Sequence, residues 1–140
     1  MINCLIIENS TKVIEKIKSF KDEFTGMSFT YVSENQEIAL NLILKSNFDL
    51  IFYNIDSTKI NISNFLFEIQ TSYKSKLKFI ALSSRKENAY EAYTYNFCDF
   101  LLKPLSELSI RKSLLKFQKQ NPVEILKTIC LKSNKDYRYL

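Results

Sequence analysis

Five short apolar runs punctuate this chain, and each is followed by a stretch with helical spacing of apolar residues. The runs are Cys4-Leu5-Ile6-Ile7, Ser28 to Val32, Leu50-Ile51-Phe52-Tyr53, Phe79-Ile80-Ala81-Leu82 and Phe100-Leu101-Leu102. Most are continuous where a half-exposed strand would alternate, as expected of parallel strands covered on both faces. The stretches between them repeat at helical spacing. Val13, Ile17, Phe20 and Phe24 form the first, stopped by Gly26. Ile38, Ala39, Leu42 and Ile43 form the second, and Ile62, Phe65, Leu66 and Ile69 the third. Ala89, Ala92 and Tyr93 mark a shorter fourth; Ile110, Leu114 and Phe117 mark a fifth. Ser10 or Thr11 can cap the first helix, Ser33 with Gln36 reads as a capping box, and Ser106 can open the fifth helix. Strand and helix alternating with short links specify a parallel sheet with right-handed crossovers and helices on both faces, a three-layer α/β/α architecture.

Length and residue usage narrow what such a sheet can do. The 140 residues suffice for one ordinary domain, and the 46% hydrophobic content can fill its core. Gly26 is the one glycine, so no glycine-rich phosphate loop can be written. The absence of His removes Ser-His-Asp and Cys-His constellations and most zinc sites. Cys4, Cys98 and Cys130 are odd in number and widely spaced, which reads as reduced thiols, two of them in core strands. The apolar N-terminus meets Glu8 too soon for a signal peptide or a membrane span, so a cytoplasmic, non-membrane protein is expected. The net charge of +5 comes from dispersed lysines, which reads as a solvated basic surface and not as a nucleic-acid stripe.

In open parallel sheets the functional groups lie beyond the carboxyl ends of the strands. Glu8 and Asn9 follow the first run, Asn54 the third, Ser83 the fourth, and Lys103-Pro104 the fifth. This set, in register with five strand–helix units, resembles the receiver domains of response regulators, with their flavodoxin-like (βα)5 fold. The resemblance covers about residues 2–120, taken as one receiver domain over 1–120. It implies that Glu8 and Asn9 match the acidic pair that helps hold Mg²⁺. Asn54 matches the aspartate that accepts phosphoryl from a histidine kinase. Ser83 matches the hydroxyl that meets the phosphoryl group, Phe100 the aromatic switch residue, and Lys103 the lysine that pairs with the phosphorylated aspartate. The Lys103–Pro104 bond matches one often cis in the family.

The departures from that pattern shape the expected function. Phosphoryl transfer needs a carboxylate nucleophile and a metal that neutralises phosphate charge. The Asn54 amide is neutral, and Mg²⁺ favours carboxylate oxygens. Among the matched positions one negative charge remains, on Glu8, so the Mg²⁺ site at Glu8, Asn9 and Asn54 is expected to be weak or lost. No cofactor is expected. Asp56, two residues past Asn54, is a second candidate acceptor, but its loop side chain is expected to point elsewhere.

The expected role is that of an atypical receiver, not an enzyme, regulating an attached output domain through protein contacts. Tyr93, Tyr95, Phe100 and the last helix would form the contact surface, through which the resembled family commonly pairs; a histidine kinase is a further partner. The alternatives are a working phosphoacceptor using Asp56, and an inert scaffold in which Asn9 and Asn54 are simple polar strand ends and Lys103 satisfies Glu8. A flavin enzyme on the same fold is opposed by the absence of Trp and of a phosphate loop. Residues 121–140 read as a linker from Gln120-Asn121-Pro122, then Ile129-Cys130-Leu131 and Tyr137-Arg138-Tyr139-Leu140. These resemble the first hairpin of LytTR-type DNA-binding domains. DNA would be reached through such a C-terminal domain and not through these residues alone.

Overall fold

The computed structural model describes residues 1–72 and 76–120. The linker and the LytTR-like hairpin expected over 121–140, with Cys130, lie outside them. The five apolar runs become the strands β1 (Ile2–Ile7), β2 (Met27–Val32), β3 (Leu50–Asn54), β4 (Lys78–Ser83) and β5 (Asp99–Leu102). They form one sheet in the order β2-β1-β3-β4-β5, with every pairing parallel. The helices are α1 (Thr11–Lys18), α2 (Gln36–Lys45), α3 (Ile62–Gln70), α4 (Ala89–Thr94) and α5 (Glu107–Gln120). This is the doubly wound, flavodoxin-like (βα)5 fold.

The period of two along each strand sorts the core into two layers. Cys4, Ile6, Leu50, Phe52, Ile80, Leu82 and Leu101 face α1 and α5, where Ile14, Ile17, Ile110, Leu114 and Phe117 meet them. Leu5, Ile7, Ile51, Tyr53, Phe79 and Ala81 face α2, α3 and α4, where Ala39, Ile43, Phe65, Leu66, Ile69 and Ala92 meet them. Each fully buried Leu, Ile or Phe contributes roughly 1.5–3 kcal/mol of transfer free energy. Of the two thiols described, Cys4 lies in β1 with no exposure, and Cys98 stands just before β5, half-buried.

The helix boundaries follow local chemistry, with two departures from expectation. Ser10 caps α1 by accepting from the Val13 N–H. The expected helix through Phe24 ends sooner: α1 stops at Lys18, a 3₁₀ turn covers Ser19–Lys21, and Phe24 lies in the following turn, buried against Phe20. The second departure is the capping box at Ser33. Asn35 is the cap of α2, its Oδ1 accepting from the Ile38 N–H at 3.0 Å. Two eligible caps stood close together, and the extended backbone through residue 35 leaves the nearer one in position. Ser106 opens α5 as expected, its Oγ accepting from the Ser109 N–H at 3.1 Å. Among the described residues no helix is long and apolar enough to cross a membrane.

Candidate functional site

The carboxyl ends of β1, β3, β4 and β5 bring the expected side chains together. Asn54 is the last residue of β3 and is buried. Lys103 follows β5 on a cis peptide to Pro104. Its Nζ lies 2.7 Å from Glu8 Oε1 and 3.4 Å from Asn54 Oδ1. Glu8 is 3% exposed; its Oε1 takes no directed hydrogen bond besides this ion pair. The other oxygen, Oε2, accepts from the Asn9 and Ser10 N–H groups, each at 3.1 Å. Taking Lys103 and Glu8 out of water is costly, and their close pairing offsets much of that cost.

The structure adds a residue that the strand-end reading missed. Glu34, buried just beyond β2, has an Oε2 that accepts from Asn54 Nδ2 at 2.9 Å and from the Asn9 N–H at 3.0 Å. Asn9 returns the contact, its Oδ1 accepting from the Glu34 N–H at 3.1 Å. The matched positions alone carried one negative charge; with Glu34 the site holds a second carboxylate. The signal was present, because Glu34 stands beyond the second strand as Glu8 stands beyond the first. Its capping pattern, Ser33 with Gln36, draws the sequence reading toward the helix start instead.

The neighbours of Asn54 dictate its amide orientation. Oδ1 faces two donors, the Asp56 N–H at 3.2 Å and Lys103 Nζ at 3.4 Å, while Nδ2 faces the Glu34 carboxylate. An aspartate could supply the acceptor side of this arrangement but not the donor side.

Asp56 corrects the expectation that its side chain points elsewhere. Its Oδ1 accepts from Ser83 Oγ at 2.5 Å and from Asn88 Nδ2 at 2.8 Å. Its Oδ2 accepts from the Ser84 N–H and from Ser84 Oγ, each at 2.8 Å. Burial alone would raise this carboxyl, but the hydrogen bonds from Ser83, Ser84 and Asn88 bring it below the ordinary aspartate value. Ser83, with no exposure, therefore faces Asp56. The position was unreadable from sequence because no periodicity governs a loop side chain.

Phe100 is half-buried and packs against the α2–α3–α4 layer. Tyr95 is half-buried, and its hydroxyl meets Ser63 Oγ at 2.7 Å. Tyr93 and Tyr90 are about four-fifths exposed, at 80% and 78%. Burial, with the Asp49 charge second, pushes the Cys4 thiol up to about 12, so it stays protonated and inert.

No family model and no curated protein matches this chain. Solved structures do. The chain has the fold of response-regulator receiver domains. The receiver domain of AraT, a response regulator from Geobacillus stearothermophilus, aligns with a TM-score of 0.73 at 21% identity, covering 87% of this chain and 96% of that one. TrrA from Thermotoga maritima, solved in complex with Mg²⁺-BeF, aligns with a TM-score of 0.67 at 21% identity, covering 83% and 98%. CheY6 from R. sphaeroides, solved in complex with the P1 domain of CheA3, aligns with a TM-score of 0.64 at 21% identity, covering 85% and 95%. At such identity the likeness establishes architecture, and the side chains of the site must carry any argument about function.

Proposed function

We propose that this chain is an atypical receiver module that signals through protein contacts and does not take phosphoryl at position 54. One observation carries the reading. The side chain at the acceptor position is an amide whose Nδ2 donates to a buried carboxylate, Glu34. An amide is a poor nucleophile, and this one is held by bonds on both its oxygen and its nitrogen.

The same donor set supports only weak Mg²⁺ binding. Mg²⁺ demands near-octahedral oxygen ligation, usually with carboxylates. Glu8 Oε1 is paired with Lys103, Asn9 Oδ1 is held by the Glu34 N–H, Asn54 offers an amide oxygen already accepting two bonds, and the added carboxylate of Glu34 has its Oε2 taken by Asn54 Nδ2 and the Asn9 N–H.

Asp56 as a replacement acceptor is the second reading, and its approach to Ser83 is the observation in its favour. Against it, both carboxylate oxygens are occupied by four donor contacts, which lowers their nucleophilicity. Lys103 is also engaged at Glu8 and Asn54.

The partners we infer are an output domain, of LytTR type on the resemblance of the tail, and a second copy or another signalling protein. A histidine kinase remains among them by analogy with the CheY6 complex. The contact face would combine α4, β5 and α5; of the side chains expected there Tyr93 is exposed while Tyr95 and Phe100 are half-buried, and Tyr90, Leu102, Leu108 and Leu115 are exposed beside them. A cytoplasmic location agrees with this role.

The deciding measurement is intact mass after incubation with acetyl phosphate and Mg²⁺, beside an Asn54→Asp, Asn9→Asp double variant. The parent is expected to gain no phosphoryl group. One phosphoryl on the parent, mapped to Asp56, would return the chain to ordinary phosphoacceptor signalling.

A further inference from the structure

We propose that Asp56 is a built-in clamp, an internal anion that ties the loop after β3 to the β4–α4 connection and so holds α4 without any phosphoryl group. Four donor contacts from that connection converge on one carboxylate. Ser83 Oγ and Asn88 Nδ2 reach Oδ1 at 2.5 and 2.8 Å, and the N–H and hydroxyl of Ser84 both reach Oδ2 at 2.8 Å. These are charge-assisted bonds, roughly twice as strong as neutral ones. Their sequence span matters as much as their number. Ser83 ends β4, and Asn88 closes the 3₁₀ turn Lys86–Asn88 immediately before α4.

Both ends of that connection are further fixed from within. The Arg85 N–H donates to Ser83 Oγ at 3.0 Å, and Asn88 Nδ2 also reaches Ser83 Oγ at 3.2 Å. On the other side, the Asp56 N–H donates to Asn54 Oδ1 at 3.2 Å. A continuous chain of hydrogen bonds therefore runs from Asn54 through Asp56 to Asn88, the residue before α4. Apolar packing on α4 is slight: Ala92 is its one buried residue, and Tyr90 and Tyr93 project outward. A six-residue helix with so little core contact depends on its entry being held.

The clamp deepens the proposed function and takes its signalling meaning from it, because an acceptor-free receiver needs another means of holding its α4 face. The test is residue-resolved amide hydrogen exchange on the full chain and on Asp56→Ala and Asn88→Ala variants. The Ser84 N–H in Asp56→Ala and, in both variants, the hydrogen-bonded Arg85, Asn88 and Ala89 amides are expected to exchange at least about tenfold faster, with β1 and β3 amides unchanged. Parent-like exchange in that segment in a folded variant would overturn the clamp. If Asp56→Ala fails to fold, Asn88→Ala, at a half-buried position before the helix, carries the test alone. The outcomes separate from those above: phosphoryl on the parent would remove the acceptor-free reading and leave the exchange result standing, and unchanged exchange would do the reverse.

Discussion

Asn54 both donates and accepts in a buried setting, and that double role makes its replacement costly. In Asn54→Asp a carboxylate oxygen would stand 2.9 Å from Glu34 Oε2 where a donor now stands. Without added metal this variant should lose about 1–3 kcal/mol in urea denaturation, the range for an unmade buried hydrogen bond, with like-charge repulsion acting in the same direction. Adding Glu34→Gln should restore part of that loss, a coupling readable from a double-mutant cycle. Additive losses would show that Glu34 is not the cause. Asp56 adds a pH signature. Its folded carboxyl binds a proton more weakly than the unfolded chain does, so the unfolded state holds more protons between the two values and stability rises with pH there. This contribution is complete well above the ordinary aspartate value of roughly 3.9 and is lost as pH falls through the lower folded value. Asp56→Asn should flatten that part of the acid limb; an unchanged slope would mean that the carboxylate contributes nothing. Cys4 makes a third case. Buried and protonated, it should resist alkylation in the native protein and react only after denaturation, as peptide mapping would reveal.

At the scale of elements, α4 ends in a Schellman motif. The Phe97 N–H reaches the Ala92 carbonyl and the Asn96 N–H the Tyr93 carbonyl, each at 3.0 Å, with Asn96 at φ 61°. Left-handed backbone suits Gly and Asn and penalises β-branched side chains. Asn96→Gly should be tolerated, whereas Asn96→Val should cost roughly 1–2 kcal/mol; equal melting temperatures for the two would contradict this account. The strands and the apolar faces of the helices were legible because each is a periodic pattern imposed by burial. Their ends were less so. Ser33 and Asn35 are both capping residues, and only the backbone path decides which of them meets a free N–H.

For the molecule as a whole, the two helical layers differ. The α1–α5 layer is anchored by long apolar rows, and the layer on the other face ends in α4, which carries exposed tyrosines. If the α4–β5–α5 face pairs two copies, Tyr93→Glu should shift sedimentation toward the monomer without lowering thermal stability. Concentration-independent sedimentation of the parent as a monomer would direct the search to a different partner.

The architecture is already written in the residue order, because five apolar runs separated by helical periods leave a parallel, doubly covered sheet as the arrangement that buries them. The same order puts Glu8, Asn9, Asn54, Ser83 and Lys103 at one edge, since strand direction places whatever follows each run there. The bond from Asn54 to Glu34 and the turn of Asp56 toward Ser83 arise in the folded chain alone. Glu34 and Asp56 both lie in connections, where no repeat in the sequence records direction. Their positions are set by which donors the neighbouring loops present to a partly desolvated carboxylate.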